Sequence, residues 1–464
     1  MAEPTAPGAV LEVPPIAIEL GERFRAGGRE LALVGGVVRD MFRDRRRTDA
    51  ELDLATDAPP QETIRILRGW ADRHYLVGVR FGTVGARKGD TLLEITTYRE
   101  EVYQREHRKP AVTFAKDLES DLSRRDFTIN AMAIRLPDGT FVDPFGGVRD
   151  LAAKRLDTPL EPQVAFGDDP LRMLRAARFA AQLDVAPAPR VLHAIRDMRE
   201  RLSIVSAERL TDELSKLLVA DHPAEGLKIV VSTGLAELFL PELPALALEQ
   251  DPVHRHKDVL RHTLAVVERC EADLVLRLAA LLHDIGKPQT REITPEGVQF
   301  HHHEVVGARM ARERLRALRL PAHVVDDVVR LVEMHLRFHG YSEWSDSAVR
   351  RYVRDAGPLL DRLNQLTRAD CTTQNPKKAR HLAALQDDLE ERIARLAEEE
   401  NLQAMRPPLD GTQVMDHLGI GPGPAVGRAL DHLMQLRLDR GPIEEDEAYA
   451  LLDAWAAGQD LDRA

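Results

Sequence analysis

LALVGGVVRDMFRDRRRTDAELDLATD, from Leu31 to Asp57, is the segment from which the rest of this 464-residue chain can be placed. The run LALV is apolar, too short for a helix and followed by paired glycines, so it reads as a buried strand. Gly35 and Gly36 permit a sharp turn and a close approach of backbone to a ligand, since neither carries a Cβ. A helical segment with Arg39 and Asp40 follows, bringing backbone amides and a guanidinium towards a phosphate. ELDL then reads as a second strand, in which Glu51 and Asp53 share one face while Leu52 and Leu54 turn to the core. Two adjacent carboxylates repel unless a divalent cation lies between them, and Mg²⁺ accepts one or two carboxylates together with phosphate oxygens.

Alone, an E-x-D pair is commoner as a solvated surface pattern than as a metal site. A third acid shifts the balance: LLEITTYR, from Leu92 to Arg99, alternates and is rich in β-branched residues, so Glu94 lies on one face of another strand. Glu51, Asp53 and Glu94 on neighbouring strands beside a glycine turn describe a two-metal centre for nucleotidyl transfer, and they are the candidate catalytic residues. Further on, DLSRRDFTINAMAIRL sets Asp126 and Asn130 one helical turn apart. GDDPLRMLRAARFAAQLDV spaces Asp169, Arg172, Arg175 and Arg178 by three, with Leu171, Leu174, Ala177 and Phe179 as a buried stripe. As surface ion pairs these would be worth under about 1 kcal/mol each. Alternatively, an Asp and an Arg can read a base, the carboxylate accepting from an exocyclic amine and the guanidinium donating to a ring nitrogen or carbonyl.

A second chemistry begins near Leu246. Ten of the 17 histidines lie between His254 and His339. RHTLAVVERC supplies His262, LAALLHDIGKP the adjacent His283 and Asp284, FHHHEVVGARM His303, LVEMHLRFHGY His335, and LTRADCTT Asp370. The order H, then HD, then D resembles the HD phosphohydrolase superfamily. Histidine with carboxylate suits Ni²⁺, Mn²⁺, Fe²⁺ or Zn²⁺. His262, His283, Asp284 and Asp370 are the candidate metal ligands, with His303 and His335 completing a second position. Such a site would hydrolyse phosphomonoesters or 2′,3′-cyclic phosphates.

GGVVRD, the E-x-D after it and RRDFTINAMA together resemble the class II tRNA nucleotidyltransferase (CCA-adding enzyme) and bacterial poly(A) polymerase family. The later segments are similar to its actinobacterial type with an HD domain. The resemblance implies an α+β protein. After a flexible N-terminal arm (1–28), a polymerase-beta-like α/β head (29–153) leads to an all-helical neck (154–245), an HD domain (246–375) and a helical body and tail that holds tRNA (376–464). It also implies that Gly35, Gly36 and Arg39 grip the triphosphate. Arg125 and Asp126, with Asn130 in the same motif, take the sugar and phosphates. Asp169 and Arg172 choose the base, Arg175 and Arg178 join the nucleotide-binding set, and Glu208 and Arg209 brace that helix. Mg²⁺ would sit on Glu51 and Asp53. The family usually has D-x-D; Glu51 moves its oxygens by one carbon–carbon bond, and Asp49 is an alternative ligand.

The implied function is template-independent addition of C, C and A to the 3′ end of tRNA from CTP and ATP. Poly(A) synthesis, or addition of only CC or only A, would carry the same motifs. From a different class, an HD metallophosphohydrolase with a weakened head would too. A net charge of −12 excludes a uniformly basic coat but not local phosphate-binding patches at Arg43–Arg47, Arg105–Lys109 and Lys377, Lys378 and Arg380. Two cysteines make no disulfide framework and suit a reducing, cytoplasmic setting. No apolar run reaches membrane-spanning length. Between residues 100 and 116 the chain is polar and without period, which predicts a mobile loop. GIGPGPAVGRAL predicts a tight turn into a helix, either a backbone-amide phosphate clamp or a structural helix–turn–helix. Nothing in the sequence fixes an oligomeric state.

Overall fold

The computed structural model describes residues 12–43, 51–76, 78–79, 82–102, 111–114, 117–248, 258–294, 297–373, 375–400 and 406–459. It divides into two compact units, Met1–Pro244 and Ala245–Ala464. Asp49 and the basic positions 44–47 and 105–109 lie outside the described residues.

The first unit is built on β1 (Leu31–Val34), β2 (Glu51–Thr56), β3 (Arg73–Tyr75), β4 (Thr83–Lys88) and β5 (Thr91–Thr97). A separate antiparallel pair, β6 (Arg99–Val102) and β7 (Ala111–Phe114), follows, and then β8 (Ala133–Leu136) and β9 (Thr140–Val142). The seven-stranded sheet has the order β3-β4-β5-β2-β1-β8-β9. Only β2 and β5 run parallel in it; the other neighbours are antiparallel. The β6–β7 pair gives strands at 100–102 and 111–114 where a mobile loop was expected over 100–116; residues 103–110, 115 and 116 of that stretch lie outside the described residues.

One face of the sheet packs Leu52, Leu54, Leu93, Ile95, Val84 and Ala86 against the helices Pro15–Ala26 and Pro60–Leu67. The flexible arm expected over 1–28 is therefore corrected where the chain is described. Pro14 and Pro15 sit at the N-cap and first turn of a helix, where a missing N–H costs nothing. Ala17, Leu20 and Phe24 of that helix are fully buried. On the other face, Val34, Ala55 and Ala133 pack under the Leu118–Ser123 helix, while Leu92 of β5 and Tyr75 of β3 are exposed among the described residues.

Residues 154–244 are mainly helical, as expected. The Leu171–Leu183 helix lies at their centre, packed by Ala207–Leu218 and Pro223–Ser232, and its stripe Leu171, Leu174, Ala177 and Phe179 is buried.

In the second unit the helices Val259–Arg269, Leu274–Leu282, His303–Ala317, Ala322–Met334 and Leu360–Asp370 pack together. After the Pro376–Glu400 helix, the helices Gly411–Leu418, Pro424–Arg440 and Glu445–Ala456 close around Val414, Ala429, Leu433 and Leu452. The glycine turn before Pro424 leads into a helix as expected. Among the described residues no helix is long and apolar enough to cross a membrane.

Candidate active site and metal centre

Strand pairing places the three predicted carboxylates on one surface. Asp53 stands opposite Glu94 in the β2–β5 ladder, and Glu51 precedes Asp53 by two residues on the same face. Glu51 and Glu94 are exposed and Asp53 is half-buried. Gly35 adopts φ +73°, and a Cβ there would come 3.2 Å from Arg125 Nη1 and 3.6 Å from Asp53 Oδ2. Bare backbone, a carboxylate and a guanidinium thus border a space that only glycine keeps open. Arg125 is anchored to Asp121 (Nη2 to Oδ2, 3.2 Å), and its buried Nε has no hydrogen-bond partner among the described residues. An all-oxygen donor set beside a guanidinium fits a divalent cation bound together with phosphate.

Arg39 does not open onto that space, contrary to expectation. Its Nε and Nη2 donate to Asp40 (2.9 and 3.1 Å), and Nη1 donates to Asn130 Oδ1 (2.7 Å). Asn130 Nδ2 donates to Asp126 Oδ1 (2.9 Å), and Asp126 Oδ2 accepts from Arg175 Nε (2.9 Å) and Nη2. Arg175 also reaches Glu213 Oε1 at 3.3 Å, and Arg178 Nε lies 3.2 Å from Glu213 Oε2. The Arg178 guanidinium sits 4.3 Å from the centroid of the Phe179 ring. Burial disfavours the charged form of Asp126, but Arg175 outweighs it and holds the carboxyl well below its usual range. Arg39, Arg175 and Arg178, all expected among the nucleotide ligands, are engaged in a chain of charges that ties head to neck. The physical reason is that a guanidinium leaving water must be matched by carboxylates and amides.

Asp169 and Arg172 are each fixed by a third group. Asp169 Oδ2 accepts from Arg209 Nη2 (2.8 Å) and Oδ1 from the Leu171 amide (3.1 Å). Arg172 Nη2 donates to the Arg124 carbonyl at 2.5 Å. Arg209 therefore braces as the sequence suggested. Among the described residues Asp169 and Arg172 form no ion pair with each other.

In the second unit the four predicted ligands converge. His262 Nε2 is 2.9 Å from Asp370 Oδ1, 3.3 Å from His283 Nε2 and 3.6 Å from Asp284 Oδ2. Asp284 Oδ2 is 3.2 Å from His283 Nε2, and Asp284 Oδ1 is 3.4 Å from His303 Nε2. Two triads result, His262–His283–Asp284 and Asp284–His303–His335, each with its ligand atoms within 4.8 Å of one another and with Asp284 in common. Nδ1 of His283, His303 and His335 faces the carbonyls of Ala280, Phe300 and Val332 at 2.8, 2.9 and 2.6 Å. A carbonyl only accepts, so Nδ1 carries the proton and Nε2 is turned inward as the ligand atom. Nε2 of both His303 and His335 is buried without a hydrogen-bond partner among the described residues.

Burial pushes the His335 imidazole down to about 3, which keeps it neutral and able to ligate. Burial acts the same way on His283, but Asp284 and Asp370 overcome it and raise His283 to about 10, so a metal ion bound at Nε2 would displace a proton from it. Both carboxyls are held well below their usual range against the cost of burial, Asp284 mainly by the His283 charge and Asp370 by its bonds to His262 and His283. The backbone permits this convergence because Gly286 lacks a side chain: a Cβ there would stand 2.2 Å from the His303 carbonyl oxygen.

The chain matches three protein families in order: the Poly A polymerase head domain over residues 31–157, the probable RNA and SrmB-binding site of polymerase A over 184–246, and the HD domain over 259–400. It is 33% identical to the A-adding tRNA nucleotidyltransferase of Deinococcus radiodurans, over 92% of this chain and 95% of that one. The chain belongs to the class II tRNA nucleotidyltransferase and poly(A) polymerase family. Other members near it differ in name: the CC-adding tRNA nucleotidyltransferase of Thermus thermophilus is 32% identical (92% and 94% covered), and the CCA-adding enzyme of Geobacillus thermodenitrificans 30% (94% and 95%). Among solved structures, the Bacillus stearothermophilus CCA-adding enzyme in complex with CTP superposes with a TM-score of 0.71 at 25% identity, covering 96% of this chain and 98% of that one.

Within this nucleotidyltransferase two residues escaped the sequence reading. Glu213 holds Arg175 and Arg178, and a carboxylate between Leu210, Leu214 and Leu217 on a buried stripe was the signal for it. Lys287 of the HDIGKP segment donates to Asp284 Oδ2 at 2.7 Å and stands over the Phe300 ring. One prediction follows directly from the shared carboxylate. Elemental analysis of purified protein is expected to find a transition metal that Asp284→Ala removes, with His262→Ala removing part of it. Metal content unchanged in Asp284→Ala would contradict the assignment.

Proposed function

We propose that this nucleotidyltransferase adds CCA to the 3′ end of tRNA in the cytoplasm, without a template, from CTP and ATP. Glu51 and Asp53 would hold Mg²⁺, which when bound neutralises triphosphate charge and acidifies the terminal 3′-hydroxyl. Glu94, opposite Asp53, positions that hydroxyl or completes the ligand set. Arg125 meets the triphosphate across Gly35, and Asp126 orients the sugar from the fixed chain of charges. Arg39, Arg175 and Arg178 hold that chain in place.

The observation that supports base choice by protein alone is the separate fixing of Asp169 and Arg172 by Arg209 and the Arg124 carbonyl. Their remaining donors and acceptors are then set before a base arrives, and a wrong base leaves one of them unpaired. Asp169→Ala is expected to relax the choice among CTP, ATP, UTP and GTP by roughly 10²-fold while changing triphosphate affinity far less. Misincorporation on a tRNA transcript lacking its CCA measures this. An unchanged preference in a merely less stable variant would make Asp169 a brace.

A narrower reading, addition of only CC or only A, is favoured by the names of the Thermus and Deinococcus relatives. For the HD unit we propose a metal-dependent phosphohydrolase site that takes nickel, manganese, iron or zinc. It is supported by its mixed histidine and carboxylate donors, all with inward ligand atoms.

A further inference from the structure

The sheet face that carries Asp53 and Glu94 continues onto strands with no part in the reading above. Register sets Asp53, Glu94, Gly85 and Tyr75 in one row across β2, β5, β4 and β3, with Glu51, Leu92, Arg87 and Arg73 in the row beside it. Directly opposed residues point to the same face. Burial alternates accordingly: Val84, Ala86 and Leu93 are in the core, whereas Tyr75 is 42% and Leu92 45% exposed. A Cβ at Gly85 would stand 3.1 Å from Tyr75 Cβ and 3.5 Å from Tyr75 Cδ2. The tyrosine therefore leans from β3 across bare backbone of β4, in the direction of β5 and Glu94.

Two strand spacings separate the backbone of Tyr75 from that of Glu94, about 10 Å. That is within the span of the last nucleotides of an RNA whose 3′ end stands at the acids. Arg73 and Arg87 are exposed on the same face. Arg87 Nε donates to the Gly89 carbonyl (2.9 Å), and its Nη2 lies 3.7 Å from Asp90 at the surface. An exposed aromatic ring flanked by guanidinium groups is the composition that binds single-stranded nucleic acid, by stacking of bases and pairing of phosphates. The incoming nucleotide's base is assigned to Asp169 and Arg172, so this platform faces the acceptor strand.

We propose that Tyr75 stacks against a base at the 3′ end of the acceptor RNA, with Leu92 beside it and Arg73 and Arg87 on the adjoining phosphates. The proposal rests on the transfer reaction proposed above and adds the path of its RNA substrate. The probe is a tRNA transcript ending before CCA with 2-aminopurine as its last base. Wild-type protein is expected to quench it, and Tyr75→Ala to lose the quench and raise the KM for RNA about tenfold while leaving the KM for CTP unchanged. Tyr75→Leu, which keeps bulk over Gly85 without a π face, loses the quench likewise, and Tyr75→Trp restores it. Quenching that persists in the Ala and Leu variants overturns the proposal. So does wild-type protein that extends the transcript without quenching it. Wild-type protein that quenches in a Tyr75-dependent way but adds no nucleotide bears out the stacking surface and overturns the transfer reading.

Discussion

Asp53→Ala is expected to lower nucleotide addition at least about 10³-fold, the equivalent of about 4 kcal/mol in the barrier. Asp53 is the carboxylate that faces both Glu94 across the β2–β5 ladder and the space kept open by Gly35. Its methylene is half-buried on the open face rather than in the core, so the fold survives its loss. Single-turnover incorporation on a tRNA transcript with Mg²⁺, read beside a thermal melt, separates the two effects. Glu51→Asp shortens a ligand that points outward from the same face, and it is expected to keep or raise activity. A large loss in Glu51→Asp would mean that the site is built around the longer side chain. Near wild-type turnover in Asp53→Ala would remove the metal from Asp53 altogether.

The second large effect is expected on stability. Arg175→Ala leaves Asp126 and Glu213 buried with one cation fewer, since Arg175 bonds the first through two nitrogens and reaches the second at 3.3 Å. Breaking such a pair by removing one partner costs roughly 3 kcal/mol, and the melting midpoint of this unit should fall by roughly 10 °C. The sign of its pH dependence is fixed by Asp126. In the wild type its carboxyl is held below the unfolded value, so the stabilisation is present above about pH 4 and fades as pH falls further. Without Arg175, only Asn130 and Arg172 oppose burial at the Asp126 carboxyl, which is then held down less than in the wild type. The deficit of the variant should therefore be greatest near neutrality and shrink in acid. Melting curves of both proteins from pH 7 downward measure this, and a deficit that grows in acid would contradict the assignment of Asp126 as the partner.

How far the sequence carried depends on what kind of interaction each residue makes. Local chemistry was legible: paired glycines closing a short apolar run, and alternation that sends Glu51, Asp53 and Glu94 to one face. Residues whose partners are close in sequence or typed by chemistry were also legible, as with His262, His283, Asp284 and Asp370. Three features were not. The parallel pairing of β2 with β5 joins strands separated by two others in the chain, and periodicity carries no information about which strands become neighbours. Prolines near the N-terminus hid the Pro15–Ala26 helix, because Pro14 and Pro15 interrupt nothing at a helix start. Arg39 looked like a phosphate ligand, and Arg178 like part of the nucleotide-binding set, because a guanidinium is drawn alike to a phosphate and to a buried carboxylate. Only the placement of Asp40, Asn130 and Glu213 distinguishes the two.

One site, using Glu51, Asp53 and Glu94 for chemistry and Asp169 with Arg172 for selection, is proposed to build the whole trinucleotide. Three tRNA transcripts, ending before CCA, after its first C and after CC, incubated with each nucleoside triphosphate separately, test it most directly. C is expected on the first two from CTP, A on the third from ATP, and nothing from UTP or GTP. Addition confined to C or to A, or a homopolymer of A on every transcript, would contradict it.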